Sequence, residues 1–179
     1  MRGQVSSVTH ATTGPAPPPS YAAARAGRLG AVTEQSTAQP TQHPVLEDFP
    51  AHSHDKLRYG DTDRQGHVNN AVFSTLLETG RVELLHPGGG ASMNDEGASW
   101  VIVRIELDLV GEITWPGTID IGTRVEKVGR SSVTMQQGLF QAGRPVARAT
   151  TVIVQMDDET RGSRALGEEL AERFRALQG

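Results

Sequence analysis

The sequence predicts an α+β domain in which one face of an antiparallel sheet covers one long central helix. Three observations carry this reading. A helix-patterned run starts at Asn69 or Asn70, continues to about His86 and is stopped by Pro87-Gly88-Gly89-Gly90. Four long strand-like runs follow it, joined mostly by short turns, which implies an antiparallel meander. A last helical segment then closes the chain.

Each element has its own warrant. Residues 55–60 read as a first strand. In the central helix, Phe73, Leu76, Leu77, Gly80 and Leu84 fall on one side, and Val72 and Leu85 widen that face. Gly80 costs helix stability, so its presence suggests close approach by a neighbour. In 100–109, Val101, Val103, Ile105, Leu107 and Leu109 alternate with Ile102, Arg104, Glu106 and Asp108, giving one core face and one mostly polar face. Trp115-Pro116-Gly117, Gly129-Arg130 and Ala142-Gly143-Arg144 punctuate strands at 118–128, 131–141 and 145–156. Residues 164–177 carry Leu166, Leu170, Phe174 and Leu177 on one helical face, which should dock on the sheet.

Residues 1–50 differ from the rest. Seven of the ten prolines lie there, among Ala, Thr, Ser, Gln and Gly. So few large apolar residues cannot offset the entropy of ordering, and the segment is expected to be a disordered tail. The folded domain is then expected over 51–179. The tail lacks a clean signal peptide, because Arg25 and Arg28 interrupt its Ala-rich part. Residues 1–33 hold three Arg and no acid, as a transit peptide would, but Pro15, Pro17, Pro18 and Pro19 oppose an amphipathic targeting helix. A true start further downstream would also account for the segment.

Composition excludes several function classes. Net charge is −4 with no basic stripe, so nucleic acid is not an expected partner. The absence of cysteine removes thiol nucleophiles, disulfides and thiolate metal sites, and fits a cytoplasmic protein. No stretch approaches the roughly 20 apolar residues of a membrane span. His52-Ser53-His54-Asp55 is a weak metal pattern and reads better as a polar lead-in to the first strand, so no metal is expected.

Chemistry concentrates in Arg58-Tyr59-Gly60-Asp61-Thr62-Asp63-Arg64-Gln65-Gly66-His67-Val68-Asn69-Asn70-Ala71. A short strand enters a polar turn and then a helix. The turn delivers the carboxylate of Asp63, and the helix start delivers unpaired N–H groups that favour negative charge. A carboxylate beside an oxyanion site suits acyl transfer or hydrolysis.

Tyr59-Gly60-Asp61-Thr62-Asp63 followed by Gly66-His67-Val68-Asn69-Asn70-Ala71 resembles the signature of hotdog-fold thioesterases, closest to the 4-hydroxybenzoyl-CoA thioesterase-like acyl-CoA thioesterases. Glu78 and Arg81, Trp115-Pro116-Gly117 and Val128-Gly129-Arg130-Ser131-Ser132 continue the likeness in order, over about residues 55–160. The resemblance implies a hotdog fold, with the antiparallel sheet wrapped around the central helix, a homodimer or homotetramer with sites at the subunit interface, and hydrolysis of acyl-CoA thioesters. Coenzyme A would be part of the substrate, and no cofactor is expected. Asp63 falls on the catalytic aspartate, and Asn70 on the residue whose backbone N–H polarises the thioester carbonyl. The Asp-x-Asn-x-His pattern of plant acyl-carrier-protein thioesterases reads Asp63, Gln65, His67 here, with Gln65 in place of asparagine.

Asp63 is thus the expected nucleophile or general base. His67 orients it or binds substrate, and Gln65 and Asn69 are substrate-binding candidates. Asp61 is expected to hold turn N–H groups. Asn69 and Asn70 are good helix caps in any case. Glu78 is the rival carboxylate. It lies roughly 12 Å along the helix from Asn70 and reaches a site only across a dimer; otherwise it pairs with Arg81 at i+3. Arg130 is a candidate for the phosphates of coenzyme A, whereas Gly88-Gly89-Gly90 lacks the context of a phosphate loop. Alternatives are an acyl-carrier-protein thioesterase, a non-catalytic acyl-thioester sensor, and a hydratase. The hydratase is disfavoured because His67 lies four residues past Asp63 with no intervening proline.

Overall fold

A computed structural model describes residues 44–90 and 92–179. Strand β1 spans Ala51–Lys56, helix α1 Asn70–Leu85, β2 Ala98–Leu109, β3 Thr118–Val128, β4 Ser132–Gln141, β5 Arg144–Asp157, and helix α2 Glu168–Arg175. All five strands form one sheet in the order β1-β3-β4-β5-β2, and each pairing is antiparallel. Helix α1 lies against β1, β3 and β4. This is the hotdog architecture that the sequence predicts.

Three local expectations need correction. The first strand lies at Ala51–Lys56, not at 55–60, so His52-Ser53-His54-Asp55 is the strand itself; residues Tyr59–Asp61 form a single 3₁₀ turn. Strand β2 does not keep one alternation. A register shift between Ile102 and Arg104 leaves Val103 unpaired as a bulge. Ile102, Ile105, Leu107 and Leu109 consequently lie opposite buried Ile153, Thr151, Ala149 and Ala147. Even so, Ile102, Ile105 and Leu109 remain 47%, 41% and 46% exposed, because β2 is an edge strand that α1 does not cover. Finally, Arg81 is buried and has no ion pair with Glu78 within 4.0 Å among the described residues.

Most of the expected tail lies outside the described residues. Its last residues do not: Phe49 is buried against Phe140, and a Cβ at Gly122 or Gly138 would collide with this aromatic pair.

The core has two apolar halves. One gathers Phe73, Leu76, Leu77, Ile119, Ile121 and Leu139 beneath the first half of α1. The other joins Leu84 and Leu85 to Val125, Met135, Ile153 and Phe174, the last contributed by α2. Between them the buried residues turn polar: Thr123 on β3, Gln137 on β4, Thr151 on β5 and Arg81 on α1. Gly80 makes room for this belt. A Cβ there would lie 2.6 Å from Ile121 Cγ2 and 2.9 Å from Gln137 Nε2.

Candidate active site

The loop from Arg58 to Asn69 is built by its own side chains. Asp61 is buried and accepts from the Arg58 N–H at 2.7 Å, while the Arg58 guanidinium pairs with it at 3.1 Å. The Arg58 N–H, with help from the guanidinium, holds the Asp61 carboxyl below its usual range, and burial only partly opposes this. The Asp61 carbonyl accepts from the Asn69 N–H at 2.9 Å, which ties the turn to the start of α1. Asp61 is thus the loop-fixing residue the sequence suggests.

Asp63 is exposed. Its Oδ1 accepts from the Gln65 N–H at 2.7 Å and the His67 N–H at 3.2 Å, while its backbone N–H donates to the His67 carbonyl at 2.8 Å. One carboxylate oxygen therefore shapes the turn, and Oδ2 has no protein donor among the described residues. The His67 ring does not orient Asp63. It faces Glu112, with Nε2 3.4 Å from Oε2. Sequence reasoning missed Glu112, which lies beyond β2 and carries no motif.

Asn69 is the N-cap of α1, and its Oδ1 accepts from the Ala71 N–H at 3.0 Å. Asn70 is the first helical residue, and its own N–H has no acceptor among the described residues. It opens beside a cavity of about 470 Å³ lined by Asp63, Gln65, His67, Asn70, Phe73 and Leu109–Ile113. Asp63, with one carboxylate oxygen free of protein donors, and Asn70, with a free N–H, thus line one cavity.

The other candidates lie elsewhere. Glu78 is exposed and lines a second cavity of about 440 Å³ with Arg81, Val82, Trp100 and Ile102. Arg130 is exposed in the β3–β4 turn, which is anchored to the far end of β5 by the bond from the Gln155 N–H to the Ser131 carbonyl at 2.8 Å. Ser132 pairs with Val154, and Val154 pairs with Val101 near the start of β2. Asp63, Gln65, His67, Asn69 and Asn70 therefore gather where β2 ends, and Glu78 and Arg130 lie where it begins. Arg130 is thus separated from Asp63 by most of a strand of about 36 Å, and Glu78, roughly 12 Å along α1 from Asn70, lines a different cavity, so the two groups do not form one site within a single chain. Among the described residues, no group of three or more His, Asp or Glu is placed to hold a metal ion, and no helix is long and apolar enough to cross a membrane.

The family model described as the thioesterase-like superfamily matches residues 57–174. The chain belongs to that superfamily. The match takes in the Asp63 loop, α1 and the whole meander, and it assigns the protein, in general terms, to thioester hydrolysis. Among solved structures, the chain is similar to a thioesterase from Thermus thermophilus crystallised with coenzyme A and Zn. The two are 30% identical, over 75% of this chain and 98% of that one, with a TM-score of 0.63. The PA5185 protein of Pseudomonas aeruginosa is 27% identical over 76% and 96% of the two chains, with a TM-score of 0.68. The probable thioesterase YbaW of Escherichia coli, 22% identical over 72% and 99% with a TM-score of 0.61, shares the fold. No curated protein matches the chain.

Proposed function

We propose that the protein hydrolyses acyl-CoA thioesters to a free acid and coenzyme A, in the cytoplasm and without a resident cofactor. The observation that carries this is the shared cavity of Asp63 and the Asn70 N–H. The thioester carbonyl oxygen accepts from that N–H, where the helix dipole stabilises charge as the carbonyl carbon turns tetrahedral. Asp63 then acts in one of two ways. As nucleophile, its Oδ2 bonds to the carbonyl carbon, the C–S bond breaks, and water hydrolyses the resulting anhydride. As base, it takes a proton from a water whose oxygen attacks, and the proton leaves with the coenzyme A thiol. Coenzyme A bound to the Thermus thermophilus relative supports the choice of thioester.

The working unit is proposed to be a homodimer joined through β2, or a homotetramer made of two such dimers. An edge strand with Ile102, Val103, Ile105 and Leu109 exposed is a surface that a soluble chain normally covers. A two-fold axis through the strand pairs β2 with its copy antiparallel. The start of one β2 then lies beside the end of the other. Glu78 and Arg130 of the partner subunit thereby come to the Asp63 cavity, with Arg130 toward the phosphates of coenzyme A. Gln65, His67 and Asn69 line or support the thioester end.

One observation favours a second reading, an acyl-thioester sensor: Asp63 Oδ1 is engaged in its own turn, a structural duty. Release of coenzyme A from a panel of acyl-CoAs separates the two. Asp63→Asn is expected to lower kcat by at least about 100-fold with dimer and fold intact. Turnover by the variant at the wild-type rate would refute Asp63 catalysis.

A further inference from the structure

We infer that Arg81 makes the acyl pocket selective for thioesters whose acyl chain carries a carboxylate. This rests on the composite site proposed above and names its substrate class.

Arg81 is 5% exposed, yet among the described residues only one of its five N–H donors has a protein acceptor, Gln137 Oε1 at 3.1 Å. Gln137 cannot turn away. Its Nε2 donates to the Leu77 carbonyl at 2.9 Å and to Thr123 Oγ1 at 3.3 Å, so its oxygen is fixed toward the guanidinium. The cation is thus held in place but left mostly unpaired. Burial lowers its pKa and the charge of nearby Glu78 raises it, although the two groups do not touch.

The other N–H donors of Arg81 are not among the buried atoms left without a partner, so they open to the cavity rather than into closed core. Arg81 lines the 440 Å³ cavity between α1 and β2, whose other walls include Glu78 as well as Val82, Leu85, Trp100, Ile102 and Ile153. On the same face of the sheet, Thr151 Oγ1 is buried without a hydrogen-bond partner among the described residues. Thr151 pairs with Met135, one inward position from Gln137. A mainly apolar cavity in which Arg81 is fixed and not paired with the exposed Glu78 suits an aliphatic chain ending in an anion, because Arg binds carboxylate through paired N–H donors. In the β2-paired dimer this cavity adjoins the partner's Asp63 and Asn70. A thioester carbonyl held there sends its acyl chain toward Arg81.

The test compares ω-carboxyacyl-CoAs with straight-chain acyl-CoAs of equal length, for wild type, Arg81→Met and Arg81→Lys. The wild-type ratio of kcat/KM, carboxylate-ended over methyl-ended, is expected to exceed about 10 for the best chain length. Arg81→Met should lower that ratio by about 10- to 100-fold, and Arg81→Lys should restore part of it. A wild-type ratio below one, or an equal fall for both substrates in Arg81→Met, would overturn the inference and make Arg81 a structural residue. Calorimetry with non-hydrolysable thioether analogues reads the same preference without turnover. Preferential binding of the carboxylate-ended analogue by wild type but not by Arg81→Met, with no hydrolysis, would keep the Arg81 assignment and sink the hydrolysis reading. No binding of either analogue would overturn both.

Discussion

Gly80→Ala sets two known effects against each other. Alanine in a helix interior is favoured over glycine by about 1 kcal/mol. The new methyl, however, would lie 2.6 Å from Ile121 Cγ2 and 2.9 Å from Gln137 Nε2. Ile121 Cγ2 sits on the β-carbon of a central-strand residue, so it cannot swing aside without moving β3. Gln137 is pinned by its bonds to Leu77 and Thr123. Overpacking of a filled core costs about 1–3 kcal/mol, and a contact this short falls at the upper end. The net expectation is a loss of about 1–2 kcal/mol. For a domain of this size about 4 °C of melting temperature corresponds to each kcal/mol, so Tm should fall by about 4–8 °C. Thermal unfolding followed by circular dichroism at one fixed protein concentration measures it. An unchanged or higher Tm would refute the claim that α1 is seated on the sheet through Gly80.

Further predictions concern the loop and the helix cap. Asp61 has a folded-state pKa depressed chiefly by the Arg58 N–H, so its stabilising effect is present above the unfolded carboxylate value and is lost as pH falls through the folded one. Wild type should therefore lose stability relative to Asp61→Asn as pH drops below about 4, where the unfolded carboxylate begins to bind its proton; parallel denaturation curves for the two proteins down to pH 2 would contradict this. Asn69→Ala removes the cap on the Ala71 N–H and should cost about 1 kcal/mol, read as a lower denaturant midpoint with unchanged slope.

Different physical signals make different parts legible from sequence. The α1 helix is readable because its apolar spacing, its Asn69 cap and its Pro87 stop agree. Gly80 is readable as a close approach, since glycine in a helix needs such a reason. Strand β1 is not, because Ala51, Ser53 and Asp55 are the half-buried positions and none is a large apolar or β-branched residue. The β2 alternation fails at Val103, since a bulge leaves no mark in a run of consecutive apolar residues. In the site, the loop geometry of Asp61 and the capping by Asn69 follow from local chemistry. The pairing of His67 with Glu112 does not, because it joins residues 45 positions apart. Arg81 reads in sequence as a surface partner of Glu78, and the structure buries it instead. Its place four residues past Leu77, next to Gly80 and three before Leu84, puts it on the buried stripe and is the available signal.

The central claim is a site shared across β2, and subunit mixing tests it most directly. Asp63→Asn removes the proposed carboxylate, and Arg130→Glu repels the phosphates from the other subunit's contribution. Each homodimer should hydrolyse a subsaturating acyl-CoA poorly. Refolded together, half of the dimers are mixed, and each mixed dimer holds one site with both groups intact, so about a quarter of wild-type activity should return. Mixed dimers no more active than the average of the two parents would show that each site is built within one chain, and would contradict the account.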